Sequence, residues 1–199
     1  MMFNVHFPER CELAQVKKAT AKIENVVATA DVGHTIDLNS IAKEIPSVEY
    51  RPELFPGLCL RLKKPKASAL IFRTGKMVCT GTKSEKQAKR AVNRVVKRLR
   101  EIGILIMDKP KFQVQNIVAS GTLGRSVDLE KASYILGRVM YEPEQFPGLI
   151  HRMDDPRVVF LIFSNGQIVC TGAKREPDVY TAVERLESTL EENNLYYAR

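Results

Sequence analysis

The sequence contains the same stretch twice, and this internal repeat limits the folds that the chain can adopt. With an offset of 91 positions and no gap, residues 23–104 and 114–195 are identical at 31 of 82 paired positions. As an example, LIFRTGKMVCTGTK (70–83) aligns with LIFSNGQIVCTGAK (161–174). Two similar copies in one chain are expected to fold alike and to meet about an approximate two-fold axis.

The repeat also predicts how the chain is divided. A tail (1–22) lies outside the repeat and is followed by a first repeat (23–108), a connector (109–113) and a second repeat (114–199). The connector reads Lys-Pro-Lys-Phe-Gln, which is too short and too poor in glycine and serine for a flexible linker.

The hydrophobic pattern within each repeat predicts several strands and two helices. Alternating apolar residues indicate a first strand at 23–30, and Gly75 indicates a tight hairpin. Apolar residues at spacings of three and four predict a long helix at 84–102 and its counterpart at 176–193. The other predicted elements are strands at 58–63, 67–74 and 76–82 and short helices at 38–45 and 129–139. We therefore expect an α+β fold with one curved antiparallel sheet of about ten strands and four helices.

The composition disfavours several classes of protein. The chain is 44% hydrophobic and 27% charged, which is ordinary for a globular protein, and no apolar run approaches the roughly 20 residues of a membrane span. The first ten residues lack the apolar core of a secretory signal. The four cysteines (Cys11, Cys59, Cys79, Cys170) form no CxxC pair, so we expect reduced, mostly buried thiols.

The sequence gives little support to an enzyme. His6, His34 and His151 share no motif with a nucleophile or a carboxylate. The pair Asp154-Asp155 suggests a metal site, but the first repeat has Lys63-Lys64 at that place, which favours a solvated turn. We therefore expect no catalytic residues, no metal and no cofactor.

One face of the predicted sheet lacks a cover. The two helices of each repeat can cover one face only, yet the alternation places apolar side chains on both faces. The uncovered face would carry Val27, Leu70, Phe72 and Val78 in the first repeat and Val118, Leu161, Phe163 and Val169 in the second. Such a patch indicates a binding surface, unless a partner subunit or a second layer of the fold covers it.

Charge is distributed unevenly between the two copies. The chain has 31 Lys and Arg against 23 Asp and Glu, a formal net charge of +8, which is compatible with a nucleic-acid partner. The helix at 84–102 is basic, whereas its counterpart at 176–193 is acidic. A function that both copies share must therefore rest on the strand motifs. The basic helix leaves a second hypothesis open, a protein-binding scaffold or a non-specific nucleic-acid binder.

The duplicated motifs resemble the core of the TATA-box-binding protein family over residues 23–199. The resemblance is carried by ENVVAT and QNIVAS at the first strands, FPGL twice and LIF..G..VCTG.K twice, and it is closer to the archaeal branch. It implies a pseudo-two-fold saddle with its four helices on the convex face. It also implies a general transcription initiation factor that binds A·T-rich promoter DNA in the minor groove and kinks it.

The resemblance assigns roles to individual residues of the uncovered face. Val27, Val78, Val118 and Val169, with Leu70 and Leu161, would pack on the smooth floor of an A·T minor groove, where guanine would add a clashing amino group. Donors to the groove would be Asn25, Asn116, Thr80 and Thr171. The wedges between base steps would be Phe55, Phe72, Phe146 and Phe163. Contacts with the phosphates or sugars of the DNA would come from Arg61, Lys76, Lys83, Arg152 and Lys174. Thr74, Asn165 and Gln167 occupy positions that match the family's contacts but differ in chemistry; Gln167, for example, is uncharged where the first repeat has Lys76.

The resemblance also implies partners. Glu142, Glu144 and Gln145, in the second Phe-Pro-Gly turn, would contact transcription factor B (factor IIB in eukaryotes), and RNA polymerase would be recruited indirectly. The DNA partner would be a double-stranded promoter. Apart from the resemblance, the uncovered apolar face would allow a weak homodimer of the free protein. We expect no membrane association. The expected location is the cytoplasm, at the nucleoid, for an archaeal protein and the nucleus for a eukaryotic one.

Overall fold

The computed structural model describes residues 18–197. The first repeat contains β1 (Thr20–Asp31), α1 (Leu38–Glu44), β2 (Gly57–Leu62), β3 (Ala67–Phe72), β4 (Lys76–Thr82) and α2 (Glu85–Glu101). The second contains β5 (Lys111–Thr122), α3 (Leu129–Ile135), β6 (Val139–Met140), β7 (Leu149–Met153), β8 (Val158–Ile162), β9 (Gln167–Ala173) and α4 (Glu176–Glu192). Both repeats therefore follow nearly the same order of elements.

All nine strands of the described chain form one antiparallel sheet. Its order is β2-β3-β4-β1-β5-β9-β8-β7-β6, so β1 and β5 meet at the centre. At the middle of this pair Val26 lies opposite Ile117, its own counterpart at the offset of 91 positions, and Asn25 lies opposite Val118. An approximate two-fold axis therefore passes through the Val26–Ile117 pair. The predicted α+β fold, with two like halves and an open antiparallel sheet, is confirmed.

The four helices pack on one face of the sheet and form two cores, one in each repeat. On this face β1 buries Val26, Ala28 and Ala30, and the helices bury their apolar sides against the same layer. The buried residues of α2 recur at three and four positions, as the sequence predicts. Phe112 of β5 packs against both cores. The side chains that point away from the helices are therefore left without cover from the described chain.

Two details differ from the expected elements. The sheet has nine strands rather than about ten, because the place of β6 in the first repeat holds only an isolated bridge between Glu49 and Cys59. Helix α3 ends at Ile135 instead of reaching residue 139, because Leu136 already has an extended backbone (ψ 134°), and Arg138 beyond it has a left-handed φ of 54°.

The strands at the centre extend beyond the expected bounds. β1 begins at Thr20, inside the segment predicted as a tail, and β5 begins at Lys111, inside the predicted connector. The division of the chain into tail, repeats and connector stays a prediction, and residues 1–17 of the predicted tail lie outside the described residues. Among the residues described, no helix has the length and hydrophobicity to cross a membrane.

The cysteines of the core are free and shielded from solvent. Cys79 of β4 and Cys170 of β9 are free and buried, and burial raises the pKa of Cys79 to about 11 and that of Cys170 to about 12. A thiolate is therefore disfavoured at both positions. Cys59 is free and partly exposed, and Cys11 lies outside the described residues.

Helices α2 and α4 cap each other at the approximate two-fold axis. The Glu176 carboxylate accepts the backbone N–H of Glu85 at 2.6 Å, and the Glu85 carboxylate accepts that of Glu176 at 2.7 Å. The two residues are counterparts at the offset of 91. Each carboxylate thus satisfies an N–H that the first turn of a helix leaves unpaired, and each lies at the positive end of the other helix dipole.

Replacing Glu85 and Glu176 together with alanine should lower the free energy of unfolding by about 2 kcal/mol, because both caps are lost. Urea unfolding followed by circular dichroism measures this change. Glu184→Ala, at an exposed position of α4, is the control and should change stability little. A double variant as stable as this control would show that the reciprocal caps contribute nothing.

Candidate nucleic-acid interface

The face of the sheet opposite the helices carries the predicted apolar residues. Val27, Leu70 and Val78 are partly exposed, and each lies between buried neighbours on its strand. Their counterparts in the second repeat alternate in the same way: Val118, Leu161 and Val169. Helices do not seal these side chains. The predicted apolar face is therefore present and open in the described chain.

Each repeat places two phenylalanines against each other at this face. The ring centroids of Phe55 and Phe72 are 5.9 Å apart, and the two ring planes make an angle of 63°. In the second repeat the centroids of Phe146 and Phe163 are also 5.9 Å apart, at an angle of 67°. Such edge-to-face pairs are favourable. Phe55 is 45% exposed and Phe146 is 39% exposed, so these rings are not core residues. The structure therefore presents two matched aromatic pairs, one in each repeat.

The turns before these pairs are built alike. The carbonyl of Glu142 accepts the N–H groups of Gln145 and Phe146, both at 2.9 Å, and the carbonyl of Arg51 accepts that of Phe55 at 2.9 Å. One helix-like turn thus fixes each exposed phenylalanine. The predicted partner residues Glu142, Glu144 and Gln145 lie in this turn of the second repeat and are exposed.

Two asparagines are oriented by the sheet itself. Asn25 Oδ1 accepts the N–H of Gly81 at 2.8 Å, and Asn116 Oδ1 accepts that of Gly172 at 2.8 Å. Thr171 Oγ1 lies within 3.2 Å of Asn116 Nδ2. Because each oxygen accepts from a backbone donor, Nδ2 is the group left for a ligand, and the Nδ2 of Asn116, which donates one N–H to Thr171, keeps a second one. The predicted donors therefore lie beside the two-fold axis with their polarity fixed.

Two cations of the first repeat are already paired with carboxylates. The Arg61 guanidinium forms an ion pair with the Glu49 carboxylate, and Lys83 Nζ donates a hydrogen bond to Glu24 Oε2 at 2.9 Å. The hydrogen bond from Lys83 lowers the pKa of Glu24, and that from Arg61 lowers the pKa of Glu49. These carboxylates compete with any phosphate for the same cations.

The second repeat lacks these carboxylates. Met140 and Gln115 hold the places of Glu49 and Glu24, and within residues 18–197 neither Arg152 nor Lys174 makes an ion pair. These two cations line a depression of about 580 Å³ together with Arg138, Arg157 and Asp154, and Asp154 pairs with Arg138. Sequence reasoning missed both arginines. Arg157 matches Lys66 of the first repeat and was detectable from the repeat, whereas Arg138 matches Ser47 and was not.

The remaining predicted residues lie at the hairpins. Lys76 and Gln167 are exposed at the starts of β4 and β9, and Thr74 and Asn165 are exposed in the turns before them. Asn165 Oδ1 accepts the N–H of Gln167 at 3.0 Å, which stabilises the turn. Thr80 is partly exposed on the same face as Val78. That these residues contact DNA stays a prediction.

Four further residues belong to the same face and were not predicted. Cys59 and Ser68 lie on it in the first repeat, and their counterparts Ile150 and Val159 lie on it in the second. Alternation from Leu70 and Leu161 would have identified Ser68 and Val159. No group of three or more His, Cys, Asp or Glu side chains in the described chain could hold a metal ion.

Comparison with known proteins extends over both repeats. A family model described as transcription factor TFIID (or TATA-binding protein, TBP) matches residues 20–102 and 111–193. A TATA-box-binding protein of Pyrobaculum calidifontis is 56% identical over 181 residues, which are 91% of this chain and 91% of that protein. One of Archaeoglobus fulgidus is 55% identical over 171 residues, 85% of this chain and 93% of the relative. The solved structure of Methanococcus jannaschii TBP gives a TM-score of 0.78 at 44% identity, over 86% of this chain and 98% of that one.

Proposed function

The chain belongs to the TATA-binding protein family of transcription factors, and from this membership we propose that it binds A·T-rich promoter DNA with the open face of its sheet. The observation that carries the proposal is the apolar face, repeated on both sides of a two-fold axis and left without cover by the described chain. Such a face needs an occupant. A duplex has its own approximate two-fold symmetry, which suits this surface.

The chemistry of the face fits the minor groove. An A·T pair presents only acceptors there, whereas a G·C pair adds a donor amino group. Asn25 and Asn116 offer Nδ2 donors to the acceptors. Val27 and Val118, which flank them, contact a smooth groove floor and exclude the guanine amino group. The face therefore selects A·T-rich sequence coarsely, through shape and donor pattern.

The phenylalanine pairs act as wedges in this proposal. Minor-groove proteins, the TATA-binding protein among them, insert apolar side chains between base steps, which costs a few kcal/mol for each step and is offset by contacts with the bent duplex. Phe55 and Phe146 are exposed beside Phe72 and Phe163, one pair at each side of the face. The DNA is thus kinked at two places. The steps that deform at the lowest cost are flexible T-A steps.

A gel-shift titration with three duplexes tests the proposal directly. A TATA-like duplex should bind at least about tenfold more tightly than scrambled or G·C-rich duplexes of the same length. All affinities should fall steeply between a low and a high salt concentration, because lysines and arginines release counterions from the phosphates. Equal affinity for all three duplexes would reject sequence-selective binding and favour the scaffold hypothesis.

Glu24→Gln should tighten binding to the TATA-like duplex several-fold. Glu24 accepts from Lys83 and, at 3.2 Å, from Ser120 Oγ, so its negative charge lies at the DNA face. The variant removes the carboxylate that pairs with Lys83, and it places in the first repeat the glutamine that the second repeat has at the equivalent position, Gln115. The slope of log affinity against log salt should steepen by about one counterion.

Glu101→Gln is the matched control for this variant. Glu101 is exposed at the end of α2, on the helical side of the molecule, and should leave DNA affinity unchanged. If Glu24→Gln bound the duplex no better than Glu101→Gln, the competing role of the Glu24 carboxylate would be wrong.

We propose that the second repeat recruits transcription factor B. A near-symmetric face binds a site in either direction, so orientation requires a partner. Glu142 and Glu144 are exposed in one turn, where the first repeat has Arg51 and Glu53, so the acidic pair distinguishes the two ends. RNA polymerase follows through that factor. Replacing both carboxylates with lysine should abolish the ternary complex in a gel shift while the binary DNA complex persists.

Several smaller points follow from the same proposal. The protein has no catalytic role and works with the chromosome, in the cytoplasm of an archaeal cell as its archaeal relatives suggest. Without DNA, two copies associate weakly through their apolar faces, which sedimentation velocity would detect.

The second candidate function uses α2, whose seven cations are all exposed. That function predicts binding without preference for A·T-rich DNA, so the gel shift separates the two.

A further inference from the structure

We propose that Gly57 and Gly148 are positioning residues that set the phenylalanine pairs at the angle and depth required for DNA kinking. This inference rests on the proposed function. Each glycine lies two residues after the exposed phenylalanine of its repeat, and both are buried beneath the aromatic rings. The two glycines are counterparts at the offset of 91, so the arrangement occurs twice.

The rings occupy the space that a side chain would need. A Cβ at Gly57 would lie 2.5 Å from Phe55 Cε1 and 3.1 Å from Phe72 Cε1. A Cβ at Gly148 would lie 2.6 Å from Phe146 Cε1 and 3.1 Å from the other ring of its pair. Carbon atoms pack favourably at about 3.5–4.0 Å, so both rings of a pair rest directly on the glycine backbone.

Glycine is required at these two positions because the aromatic rings leave no room for a side chain, and not because of the backbone conformation. Neither is among the glycines with positive φ, so alanine meets no backbone strain there. The atoms in the way are at the far ends of side chains, and the first ring of each pair is exposed, so it can shift toward solvent. An added methyl group therefore displaces the wedge and leaves the fold intact. A structural glycine would behave differently, because its loss would be seen in stability.

The test is the double variant Gly57→Ala/Gly148→Ala, measured in three ways. Fluorescence energy transfer between the ends of a labelled TATA-like duplex should show a smaller bend. Competition titration should show at least about tenfold weaker binding, since tenfold corresponds to 1.4 kcal/mol. Thermal unfolding should stay close to that of Gly137→Ala, the control, because a Cβ at Gly137 meets no atom within 4 Å and its φ is not positive.

A second set of variants shows whether the effect passes through the rings. A Phe55→Ala/Phe146→Ala background removes the 2.5 and 2.6 Å contacts and leaves only the 3.1 Å contacts with Phe72 and Phe163, so adding the two alanines should cause little further loss of bending or affinity. A further tenfold loss in that background would overturn the inference. A large fall in stability relative to Gly137→Ala would also overturn it, because the glycines would then serve packing.

The inference and the proposed function fail in different ways. If the wild-type protein bends the duplex and the glycine variant bends it equally, the positioning role alone is wrong. If the wild-type protein neither prefers nor bends A·T-rich DNA, the proposed function itself is wrong. Loss of bending with unchanged thermal unfolding supports both.

Discussion

Replacing Phe146 and Phe163 together with alanine should abolish the bend at one side of the DNA site and weaken specific binding at least about a hundredfold, which corresponds to about 3 kcal/mol. The two rings pack edge to face against each other, and Phe146 is 39% exposed. Because neither ring belongs to a core, their apolar surface is available to contact a ligand. The bend is measured by fluorescence energy transfer and the affinity by competition titration with a TATA-like duplex.

A matched control separates the wedge from a general loss of aromatic surface. Tyr180 of α4 is 45% exposed on the helical side, so Tyr180→Ala should change neither bend nor affinity. The double phenylalanine variant should unfold cooperatively, since neither ring belongs to the two cores. Bending by this variant that matched the wild type would show that the pair is not a wedge.

Asn116→Asp should reduce affinity for the TATA-like duplex by about a hundredfold while leaving the fold intact. The aspartate keeps an oxygen that can accept the N–H of Gly172, now 2.8 Å from Asn116 Oδ1, so the backbone donor stays satisfied. It removes the Nδ2 donors, however, and adds a negative charge at the surface that we propose binds DNA, which is a polyanion. Losing a hydrogen bond and introducing a charge together account for about 3 kcal/mol.

Two further variants check this interpretation. Asn25→Asp makes the same change on the other side of the two-fold axis, where Oδ1 accepts from Gly81, and should have a similar effect. Asn93→Asp makes it at an exposed position of α2, on the helical side, and should have little effect. If all three variants lost affinity equally, the loss would come from net charge alone and the donor role would be wrong.

The duplication made much of the site accessible from sequence. Alternation in each strand, applied twice at a fixed offset, separates buried Val26 and Ala28 from open Val27, and it places Phe72 and Phe163 on one face. Turn composition separates the exposed Phe55 from a core aromatic such as Phe160. These inferences depend only on local periodicity, which neighbours along the chain determine.

Features that depend on register could not be predicted. The pairing of β1 with β5 shifts between Ile23 and Asn25, so Ile23 and Val26 are both buried and Glu24 reaches Lys83 across the sheet. No spacing in the sequence indicates that contact. The same holds for the reciprocal caps of α2 and α4, because carboxylates in the first turn of a helix usually cap their own helix.

The long pairing of β1 with β5 has a mechanical consequence. Eleven residue pairs join the two halves across two register shifts, and no loop interrupts the sheet at its centre. In the proposed complex, a sheet joined in this way would keep its shape, and the elastic distortion would fall on the duplex rather than on the protein. The free and DNA-bound forms should therefore superpose closely, and association should become slower as the duplex becomes stiffer.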